Sequence, residues 1–149
     1  MAVDMNPILA IDFGQARIGL AISDELRLLA HPLRTIPANN DAVKTIAEIV
    51  RERKIDKVVV GIPKQMSGQI GKAADEALKF AEKLRSALPC EIATWDERLS
   101  TVAANRALRE AGKKTRNTRA VVDQVAAQMI LQGYLDREHI VLSADEKSR

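Results

Sequence analysis

The sequence predicts an α/β fold whose mixed sheet begins with three antiparallel strands, continues with parallel ones and carries helices on both faces. Three observations predict it. Two apolar runs, residues 8–11 and 17–22, flank a short turn at Gly14, as the arms of a hairpin do. The β-branched run Lys57-Val58-Val59-Val60-Gly61-Ile62-Pro63 follows a helical pattern, which is the rhythm of a crossover to a parallel strand. A second helical pattern and a further strand, residues 90–95, repeat that rhythm.

Residues 8–11 are too short for an ordinary helix and branched enough for a strand buried on both faces. Gly19, within the second arm, removes a side chain where something can approach the backbone closely. Asp24-Glu25 reads as a turn, and residues 26–36 as a third, edge strand with Pro32 on its exposed side. Asn39-Asn40-Asp41 signals a helix start, with a stripe of Val43, Ile46, Ala47, Ile49 and Val50 running to about Lys54. The Gly-containing stretch 64–71 is a loop. A second helix spans about 72–88, with Ala73, Ala77, Phe80, Ala81 and Leu84 inward. Ser100 or Thr101 opens a third helix to about Ala111, stopped by Gly112. A basic connector, 113–119, leads into a closing helix over 119–137, and 143–149 is a polar tail expected to fray.

At 149 residues the chain fits one domain, 1–149, with a core over about 8–138. Aromatics are scarce, which argues against a binder that stacks bases on a row of rings. The charge of +3 is mildly basic. Cys90 is the single cysteine, which excludes a disulfide framework and a Cys-based zinc site. No stretch is long and apolar enough for a membrane span, and the start, MAVDMN, lacks a signal-peptide pattern. The expected location is a reducing cytoplasm.

Carboxylates at the ends of buried elements carry the chemical signal. Asp12 closes the first strand, Asp96-Glu97 follow the last one, and open α/β sheets place sites at strand carboxyl ends. Asp12 alone could simply cap its turn. In the closing helix, Gln124, Gln128 and Gln132 form one stripe, and Asp123 lies roughly 140° from its centre, on the apolar side. Arg119, one turn earlier, is a candidate ion-pair partner for it. Buried carboxylates need a partner or a cation. Oxygen donors without a Cys or His cluster suit Mg²⁺ or Mn²⁺, and two such ions about 3.5–4 Å apart can hydrolyse a phosphodiester. Arg109, Lys113, Lys114, Arg116 and Arg119 form a basic run that is either a solvated face or a phosphate-binding one.

The set Asp12-x-Gly14-x-x-Arg17-Ile18-Gly19-x-Ala21-x-Ser23-Asp24, Gly61-Ile62-Pro63, Asp96-Glu97-Arg98-Leu99-Ser100-Thr101 and Asp123-x-x-Ala126-Ala127-x-x-Ile130-Leu131 resembles the YqgF family of bacterial RNase H-like nucleases. The resemblance runs from about Ile8 to Asp136. It implies a five-stranded RNase H-like sheet and acidic site positions at Asp12, Glu97 and Asp123, choosing Glu97 over Asp96, which spacing leaves open. Asp96 is then available to hold the following turn. The family is similar in fold to Holliday-junction resolvases and is associated with 5′-end maturation of 16S ribosomal RNA. Ser67-Gly68 departs from the family pattern, which often has an acid before that glycine.

The resemblance therefore implies metal-dependent phosphodiester hydrolysis in 5′-end processing of precursor 16S ribosomal RNA, on structured RNA or pre-ribosomal particles, with Arg17, Arg98, Lys113, Lys114, Arg116 and Arg119 as nucleic-acid contacts. A four-way DNA junction is the alternative substrate, and a non-catalytic nucleic-acid-binding module the alternative of another class. A monomer or weak homodimer is expected.

Overall fold

A computed structural model describes residues 6–99 and 116–147, with side chains for 6–99 and 122–141. Its sheet has five strands in the order β3-β2-β1-β4-β5: β1 Ile8–Phe13, β2 Arg17–Ser23, β3 Ala30–Pro37, β4 Lys57–Ile62 and β5 Glu91–Asp96. β1–β2 and β2–β3 are antiparallel, and β1–β4 and β4–β5 are parallel. This is the mixed sheet the sequence predicts. β1 lies at its centre, so both of its faces need cover.

Helices α1 (Ala42–Glu52) and α2 (Lys72–Ala87) cover one face, packing Ile46, Ile49, Phe80 and Leu84 on Leu9, Ile11, Val58 and Val60. Helix α3 (Arg116–Lys147) covers the other, with Ala127, Ile130, Leu131 and Leu135 against Ile8, Ala10, Ala21 and Val59. The alternation Ile8/Ala10 against Leu9/Ile11 is the period-two pattern of a strand buried twice. Lys57 donates to the Tyr134 hydroxyl at 2.7 Å and so ties the sheet to α3.

Three boundaries differ from the sequence expectation. β3 starts at Ala30, because Asp24 accepts hydrogen bonds from the Leu28 and Leu29 amides and holds residues 24–29 in a turn, with Arg27 at φ 58°. In α2, Ala74 is the buried alanine and Ala73 is exposed. The closing helix begins at Arg116 and continues to Lys147, past the expected end and into the stretch read as a frayed tail. The predicted helix over 100–111 and the residues Arg109, Lys113 and Lys114 lie outside the described residues.

Candidate active site

Asp12 stands in a row of three residues across neighbouring strands. It pairs with Gly19 on β2, and extending the β1–β4 register one step beyond Ile11–Val60 brings Gly61 alongside it. Their neighbours Ile11, Ile18, Leu20, Val60 and Ile62 belong to the core under α1 and α2. By alternation Asp12, Gly19 and Gly61 face α3. A carboxylate is thus flanked on each side by a residue with no side chain.

Each glycine makes room for another part of the site. A Cβ on Gly19 would fall 2.5 Å from the carbonyl carbon of Asp123 and 3.1 Å from its Cβ. The start of the described part of α3 therefore rests directly on β2, as the placement of Gly19 mid-strand suggested. A Cβ on Gly61 would fall 2.8 Å from Oε2 of Glu97. Glu97 thus turns back from the end of β5 over β4, toward Asp12. Both carboxylates are buried, Asp12 at 4% and Glu97 at 2% exposure.

Asp96 aims Glu97. Its Oδ1 accepts from the Arg98 amide at 3.0 Å, and its carboxylate takes the Arg98 guanidinium at 2.6–3.1 Å, closing the 3-10 turn Glu97–Leu99. That hydrogen-bonded guanidinium, against a smaller opposing effect of burial, holds the Asp96 carboxyl below its usual range. Arg98 also donates to the Met66 carbonyl at 3.4 Å, so it joins the 64–71 loop to this turn. Its guanidinium is engaged with Asp96 and the Met66 carbonyl, and its side chain stays 30% exposed.

Asp123 is half-buried, and its Oδ2 accepts from Arg17 Nε at 2.8 Å. This ion pair joins β2 to α3; the side chain of Arg119, the candidate partner one turn earlier, lies outside the described residues. Arg116 and Arg119 fall in the first turns of α3.

The three acids share one end of the sheet on its α3 face, but they do not close on a point. Among the described residues no group of three or more His, Cys, Asp or Glu is gathered tightly enough to hold a metal ion. Asp12 and Glu97 nevertheless fit a hard divalent cation: they are oxygen donors, buried where an ionised carboxylate calls for positive charge, and brought together over a glycine.

The sequence reading took the Gln124-Gln128-Gln132 stripe only as the polar side of the helix. The stripe meets the sheet edge instead. Gln128 donates to the Ala30 carbonyl at 3.0 Å, Gln132 accepts from the Ala30 amide at 2.9 Å, and Gln124 donates to Thr35 Oγ1 at 3.2 Å. Two of these side chains satisfy the Ala30 backbone at the start of edge strand β3 and the third meets a β3 hydroxyl, which together fix the rotation of α3, the helix that carries Asp123. The i, i+4 spacing of the glutamines was the signal available.

Comparison with known proteins gives a consistent picture. A model of the family described as RuvX: Holliday junction resolvase matches residues 6–137. A protein of Acetivibrio thermocellus named "Putative pre-16S rRNA nuclease" is 45% identical over 139 residues, covering 91% of this chain and 99% of that protein. One of Chloroflexus aurantiacus with the same name is 47% identical over 131 residues, covering 87% and 86%. Among solved structures, Thermus thermophilus RuvC in complex with a Holliday junction substrate aligns with a TM-score of 0.54 at 14% identity, over 90% of this chain and 96% of that one. At that identity the likeness concerns the RNase H-like fold alone.

Proposed function

The chain belongs to the RuvX family, and from that membership we propose that it is a nuclease that hydrolyses phosphodiester bonds of precursor 16S ribosomal RNA near the 5′ end. The observation that carries the reading is the Gly19–Asp12–Gly61 row with Glu97 laid over Gly61. A sheet end that buries two carboxylates beside two glycines suits a positively charged ligand as well as the close approach of α3. The choice of ribosomal RNA over a DNA junction rests on the names of relatives near 45% identity over almost their whole length.

In this reading Asp12, Glu97 and Asp123 supply the oxygen donors for Mg²⁺ or Mn²⁺. When bound, the ion lowers the pKa of water and offsets charge on the phosphate oxygens. The chain's own residues set the geometry: β1 fixes Asp12, the Asp96–Arg98 turn directs Glu97, and Gly19 lets α3 bring Asp123 in. Arg17, Arg98, Lys113, Lys114, Arg116 and Arg119 are proposed to hold the phosphate backbone without reading bases, which suits structured RNA recognised by shape. The whole chain acts as one domain, in the bacterial cytoplasm, as a monomer or weak homodimer. Among the described residues no helix is long and apolar enough to cross a membrane.

The test offers the purified protein, with Mg²⁺ or Mn²⁺, a precursor 16S fragment, the same RNA in assembling particles, and a synthetic four-way DNA junction. Cleavage of RNA, lost in Asp12→Asn, is the expected result. Paired symmetric nicks in the junction with both RNA substrates intact would assign the chain to junction resolution instead. Binding without cleavage of any substrate would leave a non-catalytic binding module.

A further inference from the structure

We propose that a pocket between the tip of β1 and α2 is a base subsite that takes an unpaired guanine of the substrate strand, with Glu76 and Lys83 reading its edge. The inference rests on the reading that this end of the sheet acts on RNA.

The pocket has a volume of about 310 Å³ and is lined by Phe13, Gln15, Glu76, Lys79, Phe80 and Lys83. That is the small end of the about 300–1,000 Å³ that ligand pockets span. Its place follows from the strand. Phe13 comes directly after Asp12 on β1, and successive strand residues point to opposite faces. Asp12 faces α3, whereas Phe13 packs on the α1–α2 side and stacks on Phe80, with ring centroids 4.6 Å apart. The pocket therefore lies round the tip of β1 from the candidate active site. The β1–β2 turn joins the two. The Gly14 amide donates to the Arg17 carbonyl and the Ala38 amide to the Ala16 carbonyl, both at 3.0 Å, which pins this turn. Arg17 leaves it toward Asp123, and Gln15 leaves it toward Glu76. A strand crossing the turn can meet Arg17 with a phosphate and lay a nearby base into the pocket.

The lining chemistry selects the base. Glu76, Lys79, Phe80 and Lys83 recur at i, i+3, i+4 and i+7 on α2 and so share one face of the helix. Gln15 Nε2 lies 3.2 and 3.4 Å from the two Glu76 oxygens. One donor group thus serves both oxygens, and a carboxylate offers about four acceptor sites. Lys79 is paired with Asp75 at 2.9 Å, which leaves exposed Lys83 as the cation for a ligand acceptor. Among RNA bases only guanine has two adjacent N–H donors, N1–H and the N2 amine, with the O6 acceptor beside them. A carboxylate can take both donors while a lysine meets O6. Adenine and cytosine place a ring acceptor beside their amine, which the Glu76 carboxylate would repel, and uracil has a single N–H. The half-buried Phe13 ring, backed by Phe80, supplies an apolar wall for the base. Unpaired bases are read in this way, by an aromatic contact and by their Watson–Crick edge.

The test is fluorescence anisotropy, without divalent metal, with short labelled uridine RNAs that carry one guanine, one inosine, one adenine or none. Inosine lacks only the N2 amine, so it removes one of the two donors and nothing else. The expected result is that the native chain binds the guanine RNA at least about fivefold more tightly than the inosine or adenine RNA. In Glu76→Gln, checked by thermal melting, the guanine-to-inosine ratio should fall below about twofold. The ratio cancels the general gain in RNA affinity that losing a negative charge brings. Equal affinities for the guanine and inosine RNAs in the native chain, or a preference that survives Glu76→Gln, would overturn the subsite and leave the cleavage reading standing. Guanosine monophosphate competing as well as the guanine RNA would make the pocket a free-nucleotide site and overturn it too. No binding of any RNA would overturn the reading beneath it. A check on location uses the native protein: the Gln15 side-chain amide resonances should move when the guanine RNA binds. If they stay put while the preference holds, guanine is read elsewhere and the pocket is refuted.

Discussion

Gly19→Ala tests directly whether α3 rests on β2. The added methyl would lie 2.5 Å from the Asp123 carbonyl carbon, and its oxygen is closer still, whereas ordinary contact begins at 3.4 Å. The obstructing atoms are main chain within a helix and cannot rotate away, so α3 must withdraw by about 1 Å. Overpacking of this kind costs about 1–3 kcal/mol, and a main-chain clash belongs at the upper end. Alanine returns about 0.5–1 kcal/mol relative to glycine in a strand interior. The net loss is about 2 kcal/mol, which for a chain of this size lowers Tm by roughly 4–8 °C. Urea and thermal melts of the two proteins measure it, and the Arg17 Nε–H resonance reports whether Asp123 has moved. A Gly19→Ala protein as stable as the native one would mean that the helix does not sit on this residue, and the account of the site would fail with it.

Gly61→Ala should behave differently, because its methyl meets the ends of two side chains, Ile130 and Glu97: the stability loss should stay below about 1.5 kcal/mol, while Mn²⁺ affinity falls at least tenfold in calorimetry. Gln132→Ala should cost about 1 kcal/mol in urea melts and strip the Ala30 amide of hydrogen-exchange protection, since that buried donor loses its acceptor. Asp96→Asn has a pH signature. The folded Asp96 carboxyl titrates below its ordinary value, so its ion pair contributes stability above that value and loses it as pH falls through the folded one. The Tm gap between native and Asp96→Asn proteins should therefore be full at pH 7 and shrink below about pH 4. Replacing Lys113, Lys114 and Arg116 with Ala should weaken binding of unrelated RNAs alike and flatten the salt dependence by about 0.7 per lost contact on single strands, measured by fluorescence anisotropy.

Much of this architecture could be read from one chain because its signals are local. The apolar runs at 8–11 and 57–62 and the helical stripe at 46–50 each have a period that admits one element type, and the sheet order follows from how such elements connect. The start of β3 is not legible because Leu26, Leu28 and Leu29 look like strand residues; one aspartate, Asp24, holds them in a turn, and that depends on side-chain geometry. Asp12 and Gly19 could be singled out in advance because a charge and a gap stand out in apolar strands. The Arg17–Asp123 pair could not, since its members are 106 positions apart and nothing in either neighbourhood names the other. Local spacing points only to Arg119, one turn away, whose side chain lies outside the described residues. The glutamine stripe was misread for the same reason: helical periodicity separates polar from apolar faces, but not solvent from a sheet edge with unmet backbone groups.

The position of α3 at the end of the chain gives the site a timetable. Asp12 is on the first strand, Glu97 follows the last strand and Asp123 is on α3, so during synthesis at about 5–20 residues per second the third acid follows the first by roughly 5–20 s. Strands β1 to β5 are all made before α3, but until it docks, the α3 face of the sheet is bare and Ala30 lacks its glutamine partners. A growing chain on the ribosome therefore carries two of its three acids before the third is made. A site assembled in this order lacks Asp123 until the whole sheet has been made.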